Sequence, residues 1–554
     1  MIEKIKSREK PKPIYDSEKY WYRKFWSIVL LVVLLVFGLK CVSIALTTPF
    51  SFDGSQTAQV ARSLAENGSH TTTYDHLVLF DPIITTGLPM ILPVALSFRL
   101  FGSTFSAGLM VNALYAWLFI VAVVWYLCRS LRLHPFYALI ALVLLVVTPQ
   151  LDIWAFGLYG EMPMLFYLMV VAILLQRFET FRIQKTLFWA GLCLGLAVLT
   201  KVISLIALPA AAITIFCVRF WSCECRIEGA NGFKVLVLDL LVFALGLLLP
   251  IIGYEIYQLL VLREDLYLHR LSQRVAFFTS HPSLLENQNS ITNLIRKSLS
   301  HFQRLSSYIG IEPRVAVQLI LVVIMSLGLD MTIIFSGMNR VLGNYRQRSS
   351  ISASRIFLVI FILILLGWWL FLTASPWERY IFPGILLLEV LIVSIFGMVS
   401  KGESYFQSNF IGFRTSAFHL ILIIIVILLM ATWGIQSFRQ GTYKISFEEK
   451  EEKIGYLQAA AFIQGLPEDA RIFGYGWWQA PVLSFAADTQ FYDFYSHPEL
   501  LIPGKLEDTY LVSDRYAAYI NPESLQSVLS NFEYELVYHD KPNELSIYQL
   551  TKKP

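Results

Sequence analysis

Four ionisable residues stand at the mouths of long apolar segments, where a charge is costly and therefore informative. Asp53 lies in Ser51-Phe-Asp-Gly-Ser-Gln-Thr-Ala-Gln-Val-Ala-Arg62, just past the first apolar run. Glu161 opens the run Glu161-Met-Pro-Met-Leu-Phe, Lys201 ends Gly191-Leu-Cys-Leu-Gly-Leu-Ala-Val-Leu-Thr-Lys201, and Arg379-Tyr380 opens another. An ionised group at mid-bilayer costs at least about 2.5–3.5 kcal/mol on insertion scales, so such residues pair, line a site or keep to the membrane edge. Two carboxylates and two cations drawn together would suit an anionic, lipid-linked substrate. A carboxylate can take a proton, while Lys and Arg can hold an anion, Arg through two parallel hydrogen bonds. Arg62, Gln56 and Asp81 are supporting candidates beside them. The first expected outside loop holds no Asp-x-Asp pair. No cofactor or metal ligand set is therefore expected, and a divalent metal is left open.

Each of the four also has a purely structural reading. Asp53 could cap a helix beginning near Gly54, as Asp commonly does. Glu161 could be a first-turn acid favoured by the helix dipole. Lys201 could snorkel to the interface at a helix end. Arg379 could pair with Glu378 or anchor the interface beside Trp377. What separates these readings is whether the surrounding elements bring the four together.

Those elements are membrane spans. Of the 554 residues 56% are hydrophobic and only 15% are charged, more apolar than a soluble core of this size requires. Runs near 28–46, 111–127, 235–260, 315–335, 356–372 and 420–433 approach or reach the roughly 20 residues that cross about 30 Å of hydrocarbon. The first run follows a basic stretch and is too long for a signal-peptide core, so it reads as a retained helix. The net charge of +4 is small and sits mostly in short loops, which argues for orientation rather than nucleic-acid binding. Six scattered cysteines imply no disulfide framework, and Cys223-x-Cys225 lacks the second pair of a structural zinc site.

Lys and Arg of short loops concentrate on the cytoplasmic side. With residues 1–25 placed there as a tail, one topology keeps the other short basic loops inside. Spans run at 28–46, 106–127, 136–149, 161–177, 186–200, 202–221, 235–259, 315–336, 356–374, 380–399 and 416–437. Residues 47–105 and 260–314 are then outside loops. The segment 83–100, interrupted by Gly87, Pro89 and Pro93, must lie along the outer interface. This topology, drawn from loop charges alone, puts Asp53, Glu161, Lys201 and Arg379 at the same outer face. The fold class is thus an all-α polytopic membrane domain over 26–437 with about 11 helices, followed by a small α/β extracytoplasmic domain over 438–554. In that domain 448–463 and 522–529 read as helices, and 470–474, 490–494, 509–512 and 534–538 read as strands. No internal repeat is visible.

The ordered strings Asp53…Ala61-Arg62…Asn67-Gly68, Pro82…Gly87-Leu88-Pro89…Leu100-Phe101-Gly102, Glu161-Met-Pro, Gly191 through Lys201, and Glu378-Arg379-Tyr380-Ile-Phe-Pro383 resemble the bacterial branch of glycosyltransferase family 39. That branch includes protein mannosyltransferase-like enzymes and the aminoarabinose transferase of lipid A. The resemblance covers roughly residues 26–399. It implies a GT-C fold in the inner (plasma) membrane, and a donor that is a sugar on an undecaprenyl- or dolichyl-type polyprenyl phosphate. It implies further an acceptor that is a lipid, glycan or protein outside the cytoplasm, with no nucleic-acid partner. Asp53, the only carboxylate in the short exit 47–54, matches the family's catalytic acid, and Glu161 resembles the second acid position. Gly54 stands where many relatives have Glu, and Asp81 where many have a basic residue before the loop proline, which shifts the phosphate contact towards Lys201 and Arg379.

A transfer of this kind needs a base for the acceptor hydroxyl and cations for the departing phosphate. Asp53 fits the first role; Lys201 and Arg379, with Tyr380 beside them, fit the second. A single displacement would invert the anomeric carbon. Two other readings are a transporter or flippase of lipid-linked sugars and a noncatalytic membrane scaffold. The first predicts polar residues on broken helices near mid-membrane, and loss of transfer on changing Asp53 alone would exclude both.

Overall fold

Long runs of Leu, Ile, Val and Phe in a bilayer leave the backbone no polar partner but itself, and helices result. The computed structural model describes residues 17–72, 74, 78–81, 84–148, 151, 155, 157–221, 230–279, 298–301, 303, 352–372, 378–400, 443–475, 479–494, 508–514, 525, 529, 530, 532–541 and 544–551. The membrane part begins with α1 (Ser17–Thr47), α2 (Phe52–Asn67), a hairpin of β1 (Thr71–Thr72) and β2 (Val78–Leu79), and α3 (Leu88–Phe101). It continues through α4 (Phe105–Trp125), α5 (Pro135–Val147), α6 (Glu161–Phe181), α7 (Gln184–Thr200), α8 (Ala207–Trp221), α9 (Ala230–Thr279), α10 (Ala353–Gly367) and α11 (Glu378–Ser400).

Among the described residues, 7 helices are long and apolar enough to cross a membrane, and the chain is a multi-pass membrane protein. They match the first, second, fourth, sixth, seventh, ninth and tenth expected spans. The third and fifth fall on α5 and α7, shorter apolar helices of 13 and 17 residues. The eighth and eleventh lie outside the described residues. Segment 83–100, expected to avoid spanning, forms α3, whose 14 residues reach only about 21 Å at 1.5 Å per residue. The seventh helix is longer than expected. At Arg263, whose φ of 62° breaks the helix, it kinks, and a second helical stretch runs on to Thr279, so residues 264–279 of the expected loop are helical.

Close backbone contact sets the height of α7. A Cβ on Gly191 would come within 2.0 Å of the Phe243 carbonyl oxygen on α9, and one on Gly246 within 2.1 Å of the Phe188 carbonyl oxygen on α7. Only glycine permits that approach. It fixes where α7 ends, and therefore where Lys201 stands. At the far ends of α6, α7 and α8 a second polar group gathers: Arg219 pairs with Asp239, Gln184 Nε2 donates to Asp239 Oδ1 at 3.3 Å, and Arg182 Nη1 donates to the Val218 carbonyl at 3.0 Å.

The C-terminal domain contains α12 (Tyr443–Gln464), β3 (Arg471–Tyr475), α13 (Ala480–Ala487), β4 (Tyr492–Asp493), β5 (Thr509–Ser513), β6 (Glu533–Asp540) and β7 (Leu545–Thr551). Its sheet has the order β4-β3-β5-β7-β6, with β3 parallel to β4 and β5, and β7 antiparallel to β5 and β6. One face of α12 places Tyr456, Ala459, Ala460 and Ile463 in the core at helical spacing. The four expected strands and the first helix are present. α13 and β7 were not expected, and most of the expected helix 522–529 lies outside the described residues.

Candidate functional site

The first turn of α2 presents Asp53. Ser51, extended at φ −78° and ψ 174°, caps this helix by accepting from the Gly54 N–H at 3.3 Å. Capping therefore belongs to Ser51, and the Asp53 carboxylate is turned to another partner. Arg379 Nη1, from the first turn of α11, donates to Asp53 Oδ2. Arg379 is held from below: its guanidinium lies 5.5 Å from the centroid of the Tyr380 ring, and that ring packs edge-on against Trp368 at 5.8 Å. The Arg379 side chain is 11% exposed and that of Asp53 31%, so solvent still reaches the carboxylate.

The second pair joins α6 to the end of α7. Lys201 Nζ lies 3.6 Å from Glu161 Oε1 and donates to Thr85 Oγ1 at 3.2 Å. Both side chains are buried, which sets aside snorkelling for Lys201. Glu161 is indeed a first-turn acid, but it is also half of an ion pair. Its Oε2 is buried with no hydrogen-bond partner among the described residues.

Backbone contacts hold this pair in place. Gly87 N–H donates to the Thr200 carbonyl at 3.2 Å, and a Cβ on Gly87 would fall 1.6 Å from the Leu199 carbonyl oxygen. Thr86 Oγ1 donates to the Tyr159 carbonyl at 3.1 Å. Gly160, at φ 87°, turns the chain into α6 within a Cβ contact of Lys201 Cε at 3.3 Å, a conformation that favours glycine.

Tyr159 stands between the two pairs. Its hydroxyl shares a hydrogen bond with Ser51 and feels the charges of Asp53, Glu161 and Arg379; burial pushes it up to about 12, so it remains a neutral phenol. Glu161 and Lys201 each interact electrostatically with both Asp53 and Arg379. The four residues thus form one cluster of two acids and two cations, assembled from α2, α6, α7 and α11.

Of the supporting candidates, Arg62 turns away from this cluster. Gln56 follows Asp53 by one turn, and Asp81 begins the segment leading to Thr85; both are half-buried. Arg62 points away, to the C-terminal domain, where Nη1 pairs with Asp488 Oδ1 at 2.8 Å. Burial lowers its guanidinium from the ordinary value, against the opposing pull of Asp488 and Glu66. Thr85, Thr86, Tyr159 and Ser51 were missed in the sequence, being neutral residues in ordinary turn contexts. Among the described residues no group of three or more His, Cys, Asp or Glu is placed to hold a metal ion.

No family model matches the chain, and no curated protein matches it by sequence. Among solved structures it is similar to ArnT, a lipid A aminoarabinose transferase, from Cupriavidus metallidurans in the apo state. The TM-score is 0.57 at 13% identity, covering 96% of this chain and 99% of that one. It is also similar to the same protein bound to undecaprenyl phosphate, with TM-score 0.54 at 12% identity and the same coverage. At this identity the likeness concerns architecture: the chain has the GT-C fold, as the resemblance of its motifs implied, with a small β-sheet C-terminal domain.

Proposed function

We propose that the chain is a membrane glycosyltransferase that moves a sugar from a polyprenyl phosphate to a hydroxyl of a lipid, glycan or protein at the outer membrane face. The observation that carries this reading is the pairing of Asp53 with Arg379 beside Glu161 and Lys201 in a chain of GT-C fold. The similarity to a structure bound to undecaprenyl phosphate supports the donor class.

In the reaction the acceptor oxygen attacks the anomeric carbon while the bond from that carbon to the phosphate oxygen breaks. The acceptor proton passes to Asp53, and polyprenyl phosphate leaves with the negative charge. Arg379 and Lys201 offset that charge in a poorly hydrated site, where such stabilisation is strongest. Glu161 holds Lys201, and its Oε2 is placed to receive a sugar or acceptor hydroxyl. A single displacement inverts the anomeric configuration. The N-terminus is cytoplasmic, residues 438–554 form an extracytoplasmic domain, and the protein resides in the inner (plasma) membrane.

Mass analysis of envelope lipids and glycans in a strain lacking the gene tests this function. A saccharide-bearing species should vanish on deletion, return with the wild-type chain and fail to return with Asp53→Asn. An envelope unchanged by deletion would overturn the reading.

A further inference from the structure

The C-terminal domain meets the helical bundle across α2. Arg62 Nη1 donates to the Phe485 carbonyl at 3.0 Å, and the guanidinium lies over the Phe485 ring at 4.7 Å from its centroid. Its ion-pair partner Asp488 is 70% exposed, so the carbonyl and the ring are the firmer part of the grip. The same ring packs edge-on against Phe50 at 5.0 Å, two positions before Phe52 opens α2. Gln59 Nε2 donates to the Pro481 carbonyl at 3.2 Å. Lys453 Nζ, on α12, donates to the Leu46 carbonyl at 2.7 Å and to Ser106 Oγ at 3.0 Å, bridging the exit of α1 and the start of α4.

Helix geometry turns these contacts into a constraint on Asp53. Arg62 lies nine positions after Asp53, and at 3.6 residues per turn the two are about 180° apart around α2. One side of the helix meets Arg379 on α11; the opposite side meets Phe485 and Pro481 around α13. A rotation of α2 that released Arg62 would carry Asp53 off Arg379.

We propose that the C-terminal domain is the positioning element of the site: Arg62 and Phe485 lock the rotation of α2 and so set where the Asp53 carboxylate stands. Arg62 is a positioning residue, and its effect on transfer rests on the reading of Asp53 as base. Its effect on the location of Asp53 does not.

Cross-linking reads that location without reference to chemistry. The full-length protein, with its native cysteines replaced and carrying Asp53→Cys and Arg379→Cys, is placed in lipid nanodiscs and treated with a short bis-methanethiosulfonate. With Arg62 intact the two thiols should join efficiently. Arg62→Met, which keeps the aliphatic stem, should slow joining several-fold well below its unfolding temperature, and Arg62→Lys should restore part of the rate. If Arg62→Met does not accumulate, Phe485→Leu removes the shared ring and should act in the same direction. Joining at the original rate in a folded Arg62→Met or Phe485→Leu protein overturns the proposal. If Asp53→Asn proved fully active while joining still depended on Arg62, the base assignment would fall and the positioning role would stand.

Discussion

Arg379 Nη1 donates to Asp53 Oδ2 although 326 positions of chain separate the two residues. The proposed base and the proposed phosphate ligand therefore neutralise one another in this structure. On the proposed mechanism, an arriving phosphate competes with Asp53 for the guanidinium, and in winning it frees the carboxylate for the acceptor proton.

That competition has a measurable sign. Undecaprenyl phosphate should bind nanodisc-embedded Asp53→Asn more tightly than wild type, because the amide no longer carries a charge that holds Arg379. Arg379→Ala should bind about ten- to a hundredfold more weakly, corresponding to the ~1.5–3 kcal/mol of a hydrogen bond to a charged group. Weaker binding by Asp53→Asn would show that the two residues do not compete in this way. Unchanged binding by Arg379→Ala would remove Arg379 from the phosphate clamp.

Lys201 and Glu161 are buried, so removing one leaves the other without its nearest partner in a poorly solvated place. Lys201→Ala should lose about 3–5 kcal/mol of stability, as expected for a stranded buried charge. The paired change Lys201→Met with Glu161→Gln should lose less than Lys201→Ala alone, and Lys201→Arg should keep more donor binding than Lys201→Ala. Thermal unfolding in detergent, with undecaprenyl phosphate binding alongside, checks all three. Equal stability of wild type and Lys201→Ala would refute the coupling.

Orientation is tested by cysteine labelling in a background lacking native cysteines. Ser69→Cys and Ser496→Cys should react with an impermeant reagent in intact cells, and Ser349→Cys should not, because only this arrangement keeps the short basic loops cytoplasmic. Positions 349 and 496 lie outside the described residues. Labelling at 349 would overturn the eleven-span topology.

The four charged residues were legible because a charge beside a long apolar run must be explained, and loop charges place all four on one side. Their pairing was not legible. Asp53 meets Arg379 only where the fold brings the first turns of α2 and α11 within reach of one another, and the nearer candidates Glu378 and Trp377 gave no hint of it. Thr85 and Tyr159 carry no charge to draw notice. Arg62 was drawn into the site by its closeness to Asp53 in sequence, yet helix rotation sends it to the opposite side, against Phe485. Gly191 was legible as part of a motif, but its reason, contact with the Phe243 carbonyl, required the partner helix. The extension of α9 past Arg263 escaped notice because hydropathy falls there, while the chain resumes a helix after the break at Arg263.

The catalytic role of Asp53 carries the account, and the kinetics of Asp53→Asn test it most directly. With Ser51 capping α2, the substitution keeps the side-chain size and the cap, and removes the carboxylate charge and with it the capacity to take the acceptor proton at neutral pH. The assay uses full-length protein in nanodiscs with the undecaprenyl-linked saccharide identified by envelope analysis, and records membrane yield and undecaprenyl phosphate binding in the same preparation. The expected result is normal yield, binding at least as tight as wild type, and transfer lowered by about 10²-fold or more. A well-folded Asp53→Asn protein that transfers sugar at a near wild-type rate would contradict the assignment and the mechanism built on it.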